Sequence, residues 1–181
     1  ILDKIKKSGK IRAIGVVSHN GDDIRKHADR YDGVIDFVMI VYNFHHNIGR
    51  PKKGSGMPPN DYTSLIPFCA SKKLGILGIK PMGSDDMVDF ARRNGYYDRK
   101  GPSVSHASLR HVFACPEIDC TMPAMNSPAE LAANLDAAYH PAMSPEEEAL
   151  LKDLSRAADS MRAEYLTPKY SWLENWRVRE G

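Results

Sequence analysis

Apolar, β-branched residues gather in four short runs along the chain, and each run closes on polar side chains. The first, residues 9–20, has a centre at 11–17 suited to a strand buried on both faces. It stops at Ser18-His19-Asn20, just before Gly21-Asp22-Asp23. The same shape recurs at residues 34–43, with Phe37 to Tyr42 as the strand, and at 75–83, with Ile76 to Ile79. A weaker and shorter version spans 118–126. Each is a strand that delivers polar groups at its carboxyl end, and each is followed by a helix or by a loop leading to one.

Helical periodicity fills the intervals. Residues 1–8 read as the last turns of a helix already under way, so an upstream segment is expected, and Gly9 reads as its C-terminal cap. Asn20 is placed to cap a second helix, with Asp22 and Asp23 in the positive first turn and Ile24, Ala28 and Tyr31 on one apolar face. After a long Gly/Pro/Lys/Asn loop at 43–62, which reads as a lid or specificity loop, the next helix is expected to begin at Ser64. That start puts Pro67 third in the helix, where its missing N–H costs nothing.

Residues 85–101 look irregular, with one helical turn near Met87 to Arg92, and 103–114 form a helix carrying Val104, Ala107, Leu109 and Val112. Two later signals are sharper. Ser127-Pro128-Ala129-Glu130 and Ser144-Pro145-Glu146-Glu147 each combine an N-cap serine, a proline at the first helical position and a glutamate positioned for a capping box. The second opens a long helix, expected over 144–166, and an aromatic tail with Trp172 and Trp176 follows over 167–181.

Strands alternating with helices imply a parallel sheet, in which ligands collect at the strand carboxyl ends. No GxGxxG follows any strand, which counts against an open dinucleotide fold. Composition adds only boundaries: with 42% hydrophobic and 27% charged residues the chain has the material for one sizeable core. The 25 basic and 23 acidic residues are interspersed, so neither nucleic acid nor a membrane surface is expected as a partner. No apolar run reaches the roughly 18 residues of a membrane span. Cys69, Cys115 and Cys120 have neither disulfide-framework nor zinc-ligand spacing, and a reduced, cytoplasmic setting fits them.

In order along the chain, Gly9-Lys10-Ile11-Arg12-Ala13-Ile14-Gly15, then Val38-Met39-Ile40-Val41-Tyr42-Asn43, then Gly75 through Lys80-Pro81-Met82-Gly83, then Pro123 through Ser127-Pro128 to Leu131 and Asn134 resemble the second half of an aldo/keto reductase barrel, in its bacterial predicted-oxidoreductase branch. The resemblance implies the C-terminal half of a (β/α)8 TIM barrel over residues 1–139, carrying the fifth to eighth strands, with the C-terminal helix and tail appended. It implies an NADPH- or NADH-dependent reductase of a small-molecule aldehyde or ketone. The proton-donating tyrosine and its lysine, aspartate and histidine helpers belong to the family's first half, before Ile1, so this chain carries the cofactor side and no catalytic residue.

On that resemblance the cofactor-binding set is Ser18, His19, Met39, Lys80, Pro81, Met125 and Asn134. Ser18, with His19 and Asn20 beside it, is matched to the carboxamide contacts after the fifth strand, whereas Met39 replaces a hydrogen-bonding glutamine of the sixth. Lys80 stands where many members place an aromatic residue, and can meet a pyrophosphate or a substrate carboxylate. Asn134 matches the asparagine that contacts adenine. Glu130 falls where an arginine often grips the NADP 2′-phosphate, which opens the door to NAD.

Tyr42 and Asn43 are read as pocket lining or core. His45-His46 lacks the partners of a metal site, and Ser105-His106 with His111 lacks the acid of a hydrolase triad. A non-catalytic relative that binds a nucleotide or a partner protein through the same strand tips is the competing reading, with a different phosphate-binding barrel enzyme behind it.

Overall fold

A computed structural model describes residues 1–18, 20–45, 62–83 and 85–160. In chain order the elements are α1 (Leu2–Lys7), β1 (Gly15–Val17), α2 (Gly21–Arg30), β2 (Phe37–Val41), α3 (Tyr62–Ser71), β3 (Gly75–Ile79), α4 (Asp85–Arg93), α5 (Val104–Phe113), β4 (Cys120–Met122), α6 (Pro128–Tyr139) and α7 (Pro145–Ser160). The strands form one parallel sheet in the order β1-β2-β3-β4. Neighbours in sequence are therefore neighbours in space, and every crossover carries a helix, the arrangement of consecutive barrel units.

Alternation along β2 shows how the sheet is covered. Val38 and Ile40 are fully buried and join Ile24 of α2 with Leu65 and Cys69 of α3 in one core cluster. Met39, one residue out of phase, is only half-buried; it is in register with Val17 on one side and Leu77 on the other, and Leu77 with Cys120. A second cluster joins α4, α5 and α7 through Phe90, Ala107, Leu151 and Leu154, with Phe44 from the end of β2 packed into it.

The edge strands depart from the doubly buried expectation. Gly15 and Val17 of β1 are exposed, Val17 by 59%, and Cys120 and Met122 of β4 are exposed too. Both strands lie at the ends of the sheet, and no described element covers the face that carries Val17 and Met39. Ladder pairing in β1 is also confined to three residues. Upstream of it, Ile14 N–H donates to the Asp36 carboxylate at 2.7 Å, and its carbonyl accepts the Asp36 N–H. Asp119 treats Ile76 in the same way, so one aspartate device guides chain entry at two places in the sheet.

Gly15 answers to a close approach. A Cβ there would lie 2.2 Å from the Phe37 ring, which crosses over it.

Helix starts follow their caps. Asn20 Oδ1 accepts the Asp22 N–H, Ser127 Oγ that of Glu130 and Ser144 Oγ that of Glu147, as the sequence signals require. α3 begins at Tyr62, two residues before the expected Ser64, so Pro67 lies inside the helix. There the proline removes a backbone donor, a cost that burial of Leu65, Ile66 and Cys69 overrides. α4 is a full helix where one turn was expected, because Met87, Phe90 and Ala91 bring their spacing of three and four into the core beside Tyr96. The expected helical residues 161–166 and the tail at 167–181, with Trp172 and Trp176, lie outside the described residues, as does most of the 43–62 loop, His46 included.

Candidate functional site

In a parallel sheet every strand points its carboxyl end the same way, so the polar residues that follow the four strands share one end of the molecule. Ser18 follows β1 directly. It is half-buried, and its Oγ accepts the Asn20 N–H at 3.0 Å, which shapes the turn into α2. Asn20 is spent on capping that helix. His19 lies outside the described residues.

Lys80 ends β3 in a left-handed conformation, φ 55°, and its side chain is exposed with no ion pair among the described residues. Two features make that backbone costly: a side chain at positive φ, and a following proline that steers its predecessor toward extended geometry. Pro81 is buried and the Gly83 N–H closes the turn on the Lys80 carbonyl at 2.9 Å. The turn thus sets Lys80 at the strand tip on a strained backbone, with its ammonium group unpaired among the described residues, a pattern found at ligand sites.

Met125, 48% exposed, follows β4 and leads to the N-terminus of α6. There Glu130 completes the capping box: its carboxylate accepts the Asn126 N–H at 2.6 Å while its own N–H donates to Ser127. The capping role expected of it is present, and it places a negative charge at a terminus whose dipole would otherwise favour an anion. One turn further on, Asn134 carries a buried Nδ2 with no hydrogen-bond partner. A buried amide donor without an acceptor is costly. Ser18, Lys80, Pro81 and Met125 are thus brought to one end of the sheet. Met39 sits within the sheet, and Asn134 on the helix after the fourth tip.

Tyr42 and Asn43, beyond the end of β2, turn inward. Tyr42 stacks on His111 with ring centroids 5.7 Å apart and packs against the core beside Cys115 and Ile118. Burial, with a smaller push from Cys115, raises its phenol to about 12. Burial likewise raises the Cys115 thiol. Such a phenol stays protonated near neutrality and is no poised acid. Asn43 is buried, and its Oδ1 accepts the His45 N–H at 3.1 Å.

Periodicity alone did not single out the place His45 takes. Its side chain is 2% exposed, Nδ1 lies 2.7 Å from Ser155 Oγ and Nε2 lies 3.8 Å from Asp159. These contacts tie the end of β2 to α7 beside a cavity of about 530 Å³, lined by Phe44, His111, Met143 and Leu151 among others. The only sequence signal was a histidine pair in a polar loop. The trio is not a hydrolase relay, since Asp159 is 63% exposed and beyond hydrogen-bond length from the ring.

Among the described residues no group of three or more His, Cys, Asp or Glu side chains is placed to hold a metal ion, and no helix is long and apolar enough to cross a membrane.

By sequence, the chain matches no family model and none of the curated proteins. By structure it is similar to the aldo-keto reductase AKR11C1 from Bacillus halodurans in its holo form, with a TM-score of 0.58 and 15% identity over 83% of this chain and 52% of that one. It is similar also to the thermostable aldo-keto reductase Tm1743, solved with the inhibitor epalrestat, with a TM-score of 0.55 and 18% identity over 84% and 52% of the two chains. The aldose reductase of Giardia lamblia aligns with a TM-score of 0.59 and 17% identity over 86% of this chain and 48% of that one. The chain therefore spans about half the length of these reductases, and its four parallel strands with their helices have the fold of that half of an aldo-keto reductase barrel.

Proposed function

We propose that this chain supplies the cofactor-binding, C-terminal half of an NAD(P)H-dependent aldo/keto reductase, and that the acid–base groups for reducing an aldehyde or ketone stand on the other half of the barrel. The observation that carries the reading is the buried, unpartnered Nδ2 of Asn134, on the helix that follows the fourth strand tip, with the exposed Lys80 at the third tip. An adenine presents ring-nitrogen acceptors to an amide donor, and a pyrophosphate presents charge to an ammonium group. Asn134 would hold the adenine end, Lys80 the pyrophosphate, and Ser18 the nicotinamide carboxamide, with Met39 and Pro81 packing beneath it.

When bound, the nicotinamide supplies the hydride. The chain's own residues bind it, orient it and exclude water from one side of it. A cytoplasmic setting goes with this reading, the three cysteines being free thiols suited to a reduced compartment.

Titration of the purified chain with NADH and with NADPH, followed by nicotinamide fluorescence, tests the proposal. We expect saturable binding of at least one cofactor, weakened about tenfold by Asn134→Leu, which removes the donor at a cost on the order of 1.4 kcal/mol. We expect no turnover of a generic aldehyde by the chain alone. Absence of binding overturns the cofactor reading. Binding that never supports turnover, even in a polypeptide carrying both halves of the barrel, favours the second reading, a nucleotide-binding relative without catalysis. Glu130→Arg should shift preference toward NADPH, since a cation replaces an anion at the α6 terminus.

A further inference from the structure

His45 is a buried titratable group that cofactor binding leaves unused, and it is held from two sides. Through its backbone it belongs to the sheet. Its N–H donates to Asn43 Oδ1, and the neighbouring Tyr42 N–H donates to the Ile79 carbonyl at 3.1 Å, which ties the end of β2 to the end of β3. Through its ring it belongs to α7, where Nδ1 lies 2.7 Å from Ser155 Oγ and Nε2 lies 3.8 Å from the Asp159 carboxylate. Ser155 and Asp159 stand four positions apart on that helix, so one helix face presents both to the imidazole.

The two contacts respond differently to a proton. A serine hydroxyl can donate to Nδ1 or accept from it, so the short bond persists whether the ring is neutral or charged. A carboxylate only accepts, and at 3.8 Å it is beyond hydrogen-bond length, so its attraction is felt mainly when the ring is a cation. Burial favours the neutral ring and a carboxylate this close favours the charged one. The other charged groups around the adjoining cavity are occupied elsewhere: on α7, Lys152 pairs with Glu148 at 2.8 Å and Arg156 helps hold down the Asp153 carboxyl. On α5, His111 stacks on Tyr42, while Phe44, Met143 and the α4 side of the core contribute apolar surface. Asp159 has no other ion pair among the described residues, which leaves its charge to His45.

We propose that His45 is a pH-sensitive latch between the carboxyl end of the sheet and α7: when the ring takes up a proton, its approach to Asp159 becomes an ion pair and the helix is held more firmly to the end of β2. Histidine is the side chain whose ordinary titration falls in the physiological range, so the latch works between mildly acidic and mildly alkaline conditions. The proposal rests on these contacts alone, and its failure leaves cofactor binding to be judged separately.

A cation favoured by the fold adds stability that is fully present below the unfolded histidine value of about 6.5 and is lost as pH rises through the folded one. Urea unfolding of the purified chain at about pH 5.5 and about pH 8 reads this difference. His45→Gln, which keeps a neutral hydrogen-bonding side chain, should lower the midpoint at both and lower it more at the acidic pH. In the Asp159→Asn background the two losses should be equal. Replacing a buried ring can unfold the chain, so Asp159→Asn alone gives a second measurement; its side chain is 63% exposed, and the variant keeps the fold. The proton affinity of His45, followed through its imidazole Cε1 proton resonance, should fall about threefold to tenfold in that variant. Amide hydrogen exchange over residues 155–160 should be faster in it than in the parent at the acidic pH and equal at the alkaline one. A loss from His45→Gln that is the same at both pH values or larger at the alkaline one, or a His45 titration that Asp159→Asn leaves unmoved, would overturn the proposal.

Discussion

Lys73 and Lys80 hold the same left-handed backbone, φ 57° and 55°, but in different surroundings. Lys73 ends α3, where the Lys73 and Leu74 N–H groups bond back to the Ala70 and Cys69 carbonyls, so its conformation serves to stop a helix. Lys80 ends β3 at the proposed cofactor site and has a proline after it. Glycine at either position relieves side-chain strain of about 1 kcal/mol, part of which is lost to the freer unfolded chain. Lys73→Gly should therefore raise the thermal midpoint by a degree or two and leave NADH titrations unchanged. Lys80→Gly should raise it similarly and weaken cofactor binding, separating the strain from its use. Equal binding in the two variants would remove Lys80 from the site.

Asp36 makes a second residue-level case. The Lys6 ammonium, 2.6 Å from its Oδ2, and then the Ile14 N–H hold its carboxyl below the usual 3.8. A depressed folded pKa contributes stability above the unfolded value, and the contribution is lost as pH falls through the folded one. Asp36→Asn should thus lower the urea midpoint at pH 7, an effect that solvent screening keeps small, and the gap to the parent should narrow as pH falls below the usual carboxylate value of 3.8.

Among the elements, α5, α6 and α7 meet at Arg110. Its guanidinium donates to Glu147, to the His140 carbonyl at 2.8 Å, and lies 3.6 Å from Asp136. Glu147 is 6% exposed and also accepts the Ser144 N–H, so its charge is buried and committed on both oxygens. Arg110→Ala strands that carboxylate and should cost about 3 kcal/mol in urea unfolding, whereas breaking the exposed Lys152–Glu148 pair by Lys152→Ala should cost less than about 0.5 kcal/mol.

Legibility follows the range of the forces involved. The caps at Asn20, Ser127 and Ser144 were readable because three or four consecutive residues contain both donor and acceptor. The four strands were readable as β-branched runs, and their parallel order followed from the helices between them. The burial of β1 was misread, because apolar composition states what a strand can bury and not whether a neighbour is there to bury it. α4 was underestimated for a related reason: its stripe of Met87, Phe90 and Ala91 is short, and the cluster it joins draws on α5 and on Phe44 and α7, the last two distant along the chain. At the site, Lys80 stood out as a lysine ending an apolar strand. The tie from His45 to Ser155 spans 110 positions and left no local trace.

For the whole molecule, the two faces of the sheet differ in what covers them. A parallel sheet with helices packed against Val38 and Ile40 has a dry side, while the row through Val17, Met39, Leu77 and Cys120 is left partly or fully accessible. Single apolar residues at a surface need no explanation, but a row crossing every strand of one sheet does. The purified chain should therefore bind a hydrophobic dye at low temperature, before any thermal transition, because this row of side chains is left accessible by the described residues. Absence of dye binding below the transition would mean that the row is covered.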